Sequence, residues 1–128
     1  MTLASNALRS LVLALSMLAT TSVIAHPKLL ASTPADNAEV SAPSKIELRF
    51  SEVLVPQFST ATLVMTDMPG MANHGEMAMD AAVAPGDDAK TLVITPALPL
   101  KPGSYRVDWR AVSKDTHNVK GKMSFKVK

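Results

Sequence analysis

Cysteine is absent from the 128-residue chain, and its absence excludes two kinds of chemistry. No disulfide can stabilise the fold, and a blue-copper electron-transfer centre cannot form because it requires a cysteine thiolate. Nor does any stretch of the chain sustain the hydrophobic period of an amphipathic helix. The fold is therefore expected to consist of strands around a core without covalent cross-links.

A strong excess of charge of either sign is also missing. The chain has 13 Lys and Arg against 11 Asp and Glu. Its last lysines, Lys120, Lys122, Lys126 and Lys128, are interpreted as the solvated face of a terminal strand. A nucleic-acid-binding domain shows a concentrated basic patch instead. We therefore expect no nucleic-acid partner.

The first 25 residues have the features of a secretory signal peptide. Arg9 supplies a short positive region, Leu11 to Ala19 form an apolar run, and Val23-Ile24-Ala25 provides small residues for a cleavage site. The alternative is an uncleaved membrane anchor, which needs about 20 apolar residues, and this run is too short. Cleavage is expected after Ala25, leaving residues 26–128 as a single exported domain that does not span a membrane.

Methionine is concentrated in the segment from Met65 to Met79, where five methionines and one histidine occur within fifteen residues. Proline and glycine interrupt any helix there, so the segment is predicted to be a long irregular loop. Five of its side chains recur at every third residue, and an extended, polyproline-like backbone would place them on one side. These five are Met65, Met68, Met71, His74 and Met77.

The role of methionine as a filler of gaps in a core fits this segment poorly. Leu, Ile, Val and Phe are absent from it, and polar residues lie between the sulfurs. Thioethers together with an imidazole form a soft ligand set, which selects Cu(I) over harder cations. An exported soft-metal site has reason to use methionine, because exposed thiols oxidise there. The segment is interpreted as a Cu(I) site, with a methionine-rich surface that docks a partner as the alternative.

Most of the remaining chain consists of short alternating segments separated by turns. Apolar and polar residues alternate at Ile46–Phe50, Tyr105–Ala111 and Met123–Val127, as in half-buried strands. Further strands are expected at 28–32, 60–65, 81–83 and 91–95. About seven strands favour an all-β fold, a small Greek-key sandwich or barrel of cupredoxin-like or immunoglobulin-like type. Trp109 is placed in its core.

Two histidines outside the methionine segment indicate a second site. His26 becomes the first residue after cleavage, so its free amine and imidazole can chelate one metal, while Pro27 offers no amide proton to lose. Asp115 and His117 are separated by one residue, so in an extended segment their side chains point the same way. An amine, two imidazoles and a carboxylate suit the tetragonal geometry of Cu(II).

Over residues 26–128 the sequence resembles the CopC/PcoC family of periplasmic copper-resistance proteins. The resemblance is carried by short motifs in a shared order. They are His26-Pro27-Lys28-Leu29, Ser32-Thr33-Pro34-Ala35, Lys45-Ile46-Glu47-Leu48, Phe50-Ser51-Glu52, Leu63-Val64-Met65-Thr66, Met68-Pro69-Gly70-Met71, Val93-Ile94-Thr95-Pro96, Val107-Asp108-Trp109-Arg110-Ala111-Val112-Ser113, Asp115-Thr116-His117 and Phe125-Lys126-Val127-Lys128.

The resemblance implies a small Greek-key β-barrel that binds one Cu(II) and one Cu(I) at separate sites. The implied Cu(II) ligands are the amine and ring of His26 together with Asp115 and His117. The implied Cu(I) ligands come from the methionine-rich loop and match Met65, Met68, Met71, His74 and Met77. The loop histidine lies three residues after the third methionine, one more than in the family pattern, and the extra Met79 is an alternative to Met77.

The expected function is that of a periplasmic copper carrier or buffer for copper resistance and homeostasis, without catalysis. Since each oxidation state prefers its own ligands, a redox change is expected to transfer copper between the sites or to a partner. The resemblance suggests a membrane copper permease or other periplasmic copper-resistance proteins as that partner. A histidine-brace copper oxygenase is the enzymatic alternative, but Asp115 would then fill a coordination position that must stay open.

Overall fold

The computed structural model describes residues 26–71 and 75–128. The predicted signal peptide, residues 1–25, and the candidate ligand His74 lie outside the described residues. Within the described ranges nine strands are present. They are β1 (Leu29–Thr33), β2 (Ala38–Val40), β3 (Ile46–Phe50), β4 (Thr60–Asp67), β5 (Met77–Met79), β6 (Ala81–Pro85), β7 (Thr91–Pro96), β8 (Gly103–Val112) and β9 (Asn118–Val127).

The strands form two sheets, which confirms the predicted all-β sandwich. One sheet has the order β1-β3-β7-β6 and the other the order β2-β9-β8-β4-β5. Neighbouring strands are antiparallel, except that β2 runs parallel to β9. In residues 26–71 and 75–128, no helix has the length and apolar character needed to cross a membrane.

Alternation along the strands fills a single core between the sheets. In β3, Ile46, Leu48 and Phe50 are buried, and in β8 every second residue from Gly103 to Ala111 is buried. Successive strand side chains point to opposite faces, so the intervening charged residues remain on the outer surfaces. This period of two is the pattern from which these strands were predicted; the bounds of β3 are as predicted, and β8 is longer than the predicted Tyr105–Ala111 by two residues at its start and one at its end.

Trp109 lies in this core, as predicted, and joins the two sheets. Its ring packs edge-to-face on Phe50 of the opposite sheet, with the ring centroids 5.0 Å apart. Its cross-strand neighbours are the small residues Ala61 and Gly121. A Cβ at Gly121 would overlap the indole ring, so only glycine leaves room for the tryptophan at this position.

The prediction of about seven strands was too low, because β2 and β5 were not anticipated. Each of these strands has three residues, which is too short to display an alternating pattern. β2 pairs in parallel with the end of β9, and β5 pairs with β4 inside the methionine segment. Both lie at the edges of the five-stranded sheet, where a partner strand rather than local sequence determines the structure.

Candidate metal centres

The loop between β8 and β9 brings Asp115 and His117 together through a tight turn. The Thr116 amide donates to the Ser113 carbonyl at 2.9 Å, and the Ser113 amide donates to the His117 carbonyl at 3.2 Å. Thr116 has a φ of 69°, in the left-handed region, which closes the loop in the manner of a turn followed by a bulge. The extended segment expected from the sequence is therefore wrong, although the predicted proximity of the two side chains is confirmed.

Asp115 is held by three hydrogen bonds within this loop. Its Oδ1 accepts from the hydroxyl of buried Ser113 and from the His117 amide at 3.2 Å, and its Oδ2 lies 2.8 Å from His117 Nδ1. The Ser113 hydroxyl, followed by the His117 contacts, lowers the pKa of Asp115 to about 2. The carboxylate is thus ionised near neutral pH and oriented before any metal arrives.

The ionised state of Asp115 determines which nitrogen of His117 is free. A carboxylate can only accept hydrogen bonds, so the hydrogen in the Oδ2–Nδ1 contact belongs to Nδ1. The lone pair of a neutral imidazole then resides on Nε2, which is the nitrogen able to bind a metal. In this arrangement Asp115 orients the His117 ring.

His26 reaches the same loop from the other sheet. Its ring lies 4.2 Å from the ring of His117, centroid to centroid, with an interplanar angle of 83°. The following residue, Pro27, is fully buried and fixes the chain there. Ser51, just after β3, holds the segment by accepting from the Lys28 amide at 2.9 Å, donating its own amide to the Lys28 carbonyl, and donating its hydroxyl to the His26 carbonyl at 3.5 Å.

The three predicted Cu(II) ligands are therefore neighbours, although they do not form a closed metal cage. Among residues 26–71 and 75–128, no group of three or more histidine, cysteine or carboxylate side chains is arranged to hold a metal ion. The donor chemistry nevertheless fits the tetragonal preference of Cu(II) for nitrogen and oxygen. The fourth donor, the α-amine of His26, exists only after the chain is cut before that residue.

The methionine segment begins and ends in paired strands, so the irregular loop predicted from the sequence is wrong at 65–67 and 77–79 and is confirmed at the described residues 68–71 and 75–76. β4 continues through Met65 to Asp67, and β5 returns antiparallel to it, with Met65 opposite Met77 and Leu63 opposite Met79. The prediction failed at these residues because the alternation of β4 extends into the segment, where proline and glycine only mark the turn. Residues directly opposite in an antiparallel pair share a face, so Met65 and Met77 lie side by side.

A second turn brings two more thioethers together. The Met71 amide donates to the Met68 carbonyl at 3.2 Å, and Gly70 has a φ of 81°. Proline followed by glycine with positive φ is the signature of a type II turn, whose first and fourth residues are close. Met68 and Met71 occupy these two positions, so their side chains start from neighbouring backbone atoms.

Burial divides the methionines of this segment into three groups. Met65 is 4% exposed and belongs to the hydrophobic core, whereas Met71 and Met77 are each 52% exposed. Met68 and Met79 are partly buried and pack against the core. The core-filling role that the sequence argued against is therefore correct for Met65, because its position continues the inward face of β4.

Two residues that hold the first site were missed by sequence analysis. Ser113 carries a weak signal, since it lies two residues before Asp115 at the end of an alternating strand. For Ser51 the sequence gives no indication of this role, because its contact with the amino-terminal segment depends on the pairing of β1 with β3.

Comparison with known proteins places these features in one family. The model of the CopC domain matches residues 29–128. Copper resistance protein C of Pseudomonas syringae pv. tomato is 61% identical over 115 residues, which cover 90% of each chain. Copper resistance protein C of Escherichia coli is 53% identical over 107 residues, covering 84% of this chain and 85% of the relative.

Solved structures agree with this assignment. The crystal structure of PcoC, described as a methionine rich copper resistance protein from Escherichia coli, has a TM-score of 0.75 and 52% sequence identity, and the match covers 81% of this chain and all of that one. Its fold agrees with the two-sheet sandwich described above. The resemblance seen in the sequence is therefore confirmed, and the chain belongs to the CopC family.

Proposed function

We propose that this protein is a periplasmic copper carrier or buffer that contributes to copper resistance and homeostasis. The family relationship supports copper as the cargo, and the signal-peptide pattern supports export to the periplasm. The observation that carries the proposal is the meeting of His26 and His117, whose rings lie 4.2 Å apart with Asp115 2.8 Å from the second.

The Cu(II) ligands in this proposal are His26, through its amine and ring, with Asp115 and His117. The Nε2 atom of His117 and the ring of His26 supply borderline nitrogen donors, and the ionised Asp115 supplies negative charge. All three side chains are at least partly exposed, so an incoming ion need not cross the core. A set of this composition favours Cu(II) over Cu(I).

The Cu(I) ligands in this proposal lie in the methionine hairpin. Exposed Met71 and Met77, with the partly buried Met68, are the sulfurs most accessible to an ion. His74 and Met79 complete the candidate set, and Met79 can replace Met77. Met65 is adjacent to Met77 across the strands, but its burial means that its participation requires a shift of β5.

The two sites differ in the hardness of their ligands, which supports a redox-linked transfer of copper between them. The protein is proposed to have no catalytic activity of its own. Reduction of bound Cu(II) weakens its preference for nitrogen and oxygen and strengthens its preference for sulfur, so the ion moves to a methionine hairpin on the same or another molecule. A membrane copper permease or another periplasmic copper-resistance protein is the proposed acceptor or donor of the ion.

X-ray absorption of the Cu(II)-loaded processed protein before and after addition of a reductant tests this transfer. The proposal predicts nitrogen and oxygen neighbours before reduction and sulfur neighbours afterwards. A Met71→Leu, Met77→Leu variant should show a weaker sulfur signal, because only Met68 and Met79 remain accessible, whereas a Met123→Leu variant, altered at a buried methionine outside the hairpin, should keep the full signal. Copper that remains on nitrogen and oxygen after reduction contradicts the transfer mechanism.

A further inference from the structure

Arg106 forms a two-sided ion-pair network on the outer face of the five-stranded sheet. Its guanidinium donates to both carboxylate oxygens of Glu76, at 2.7 and 3.1 Å, and to both oxygens of Asp108, at 2.7 and 3.0 Å. Paired parallel hydrogen bonds between arginine and a carboxylate are directional as well as strong. The Glu76–Arg106–Asp108 network thus fixes the guanidinium between the two acids.

The network crosses from β8 over β4 to the beginning of β5. Val64 of β4 lies opposite Arg106 on one side and Ala78 of β5 on the other. Val64 is only 7% exposed, yet it does not belong to the core cluster. As directly paired residues, Val64 and Arg106 share one face of the sheet, and the stem of an arginine can cover an apolar surface there while its head makes polar contacts.

Glu76 lies next to the least extensively paired part of the methionine hairpin, the short strand β5. It immediately precedes Met77, the first residue of β5, and lies two residues after His74. β5 is a three-residue edge strand that pairs only with β4 among the described strands, so few backbone contacts hold it. Short edge strands with little pairing open most easily. The ion pair of Glu76, immediately before β5, therefore restricts the motion of the whole strand.

We infer that Arg106 is a positioning residue for the Cu(I) site, holding Glu76 and thereby the arm that carries Met77 and Met79. This inference rests on the proposed function, because it concerns the same Cu(I) ligands. Asp108 holds the other side of the guanidinium, so the arginine cannot swing away with Glu76. Lysine cannot replace it, since an ammonium group lacks the fork that pairs with two carboxylates at once.

The sign of one substitution separates positioning from simple electrostatics. If Arg106 acted only through its charge, Arg106→Gln would remove a positive charge near the cation site and strengthen Cu(I) binding. Positioning predicts the opposite, a Cu(I) affinity about three- to fivefold weaker in Arg106→Gln and in Glu76→Gln, in line with the modest strength of partly exposed ion pairs. Competition with a Cu(I) chelator measures this affinity.

Three further measurements complete the test. The double variant Glu76→Gln, Arg106→Gln should bind Cu(I) no more weakly than either single variant, because the two residues act as one unit. Amide exchange of Met77 to Met79 should accelerate in both variants. Arg110→Gln is the matched control. Arg110 lies two positions beyond Asp108 on β8, and its side chain donates a hydrogen bond to the Phe58 carbonyl. This substitution should change neither Cu(I) binding nor amide exchange.

Cu(II) binding by the processed variants should match that of the unaltered protein, because the network does not contact His26 or His117. Stronger or unchanged Cu(I) binding in Arg106→Gln overturns the inference, as does strict additivity of the two substitutions. These outcomes are distinct from failure of the proposed function, in which the unaltered protein itself shows no Cu(I) bound to the methionine hairpin.

Discussion

The imidazole rings of His26 and His117 lie 4.2 Å apart and almost perpendicular, although the strands that follow them belong to different sheets. His26 precedes β1 of the four-stranded sheet, and His117 precedes β9 of the five-stranded sheet. The pair therefore exists only when the sandwich is closed and the amino-terminal segment is seated. A metal held by both rings binds the folded state alone, so its binding free energy adds to the stability of the fold.

Ser51→Ala should weaken Cu(II) binding while leaving Cu(I) binding unchanged. The hydroxyl of Ser51 accepts from the Lys28 amide at 2.9 Å and is the side-chain contact that holds the segment carrying His26. Its loss loosens this segment, so Cu(II) binding must supply the free energy that orders it, and we expect a loss of about three- to tenfold in affinity. Cu(II) titration of the processed variant measures it, with exposed Ser41→Ala as control. A variant that binds Cu(II) as tightly as the control contradicts this role.

Ser113→Ala should change how the free energy of unfolding depends on pH. The Ser113 hydroxyl is the largest cause of the lowered pKa of Asp115, about 2 against an ordinary 3.8. A carboxyl with a lowered folded-state pKa stabilises the fold above its unfolded-state pKa, and this contribution disappears as the pH falls through the folded-state value. The variant should therefore be less stable than the unaltered protein near neutral pH, with the difference shrinking between about pH 4 and pH 2.

Urea unfolding of the metal-free proteins at a series of pH values measures this difference. The Asp115→Asn background provides the control, because the amide does not titrate and the pH-dependent part of the Ser113→Ala effect should vanish there. A stability difference that stays constant from about pH 7 to pH 2 would show that Ser113 acts without influencing Asp115.

Met65→Ala should mainly reduce stability, whereas Met77→Ala should mainly reduce Cu(I) binding. Met65 is 4% exposed within the core, so its truncation should cost about 2–5 kcal/mol of unfolding free energy. Met77 is 52% exposed, and its truncation should change stability by about 0.5 kcal/mol or less while weakening Cu(I) binding. Urea unfolding and Cu(I) competition measure the two effects, and equal losses of stability would contradict the burial described here.

Gly121→Ala should destabilise the protein by disturbing Trp109. The added methyl group overlaps the indole ring, and overpacking of this kind typically costs about 1–3 kcal/mol. The fluorescence of the single tryptophan should shift at the same time, because the ring must move relative to Phe50. Lys120→Ala, an exposed neighbour on β9, is the control and should alter stability by no more than about 0.5 kcal/mol.

Alternation was sufficient to predict the strands that build the core. β3, β8 and the second half of β9 each present one apolar face, so their existence and inward residues follow from the period of two, whereas residues 118–122 of β9 were not predicted. The three-residue strands β2 and β5 carry no such pattern and form because β9 and β4 offer partners. For Met65 the composition of its neighbours was misleading, since its burial is set by its place in β4.

The two sites differed in how far the sequence revealed them. The closeness of Asp115 and His117 was predicted from their spacing, although a turn with Thr116 at positive φ produces it. The joint site of His26 with Asp115 and His117 was proposed from the chemistry of their donors and was also implied by the family resemblance, because no spacing rule links residues so far apart in the chain. The ion pair between Glu76 and Arg106 had no sequence signal, since it spans an intervening strand and depends on the register of β4 with its neighbours.

The most direct test of the account is a Cu(II) titration of the processed protein beginning at His26, beside a form with one extra residue before it. The extension moves the free amine while leaving every side chain in place, so it isolates the amine–imidazole chelate from the rest of the site. Trp109 fluorescence and the copper absorption spectrum follow binding in both forms. The account predicts tight binding of one Cu(II) by the first form and at least about tenfold weaker binding by the second. Equal binding by both would remove the His26 amine from the site and contradict the account.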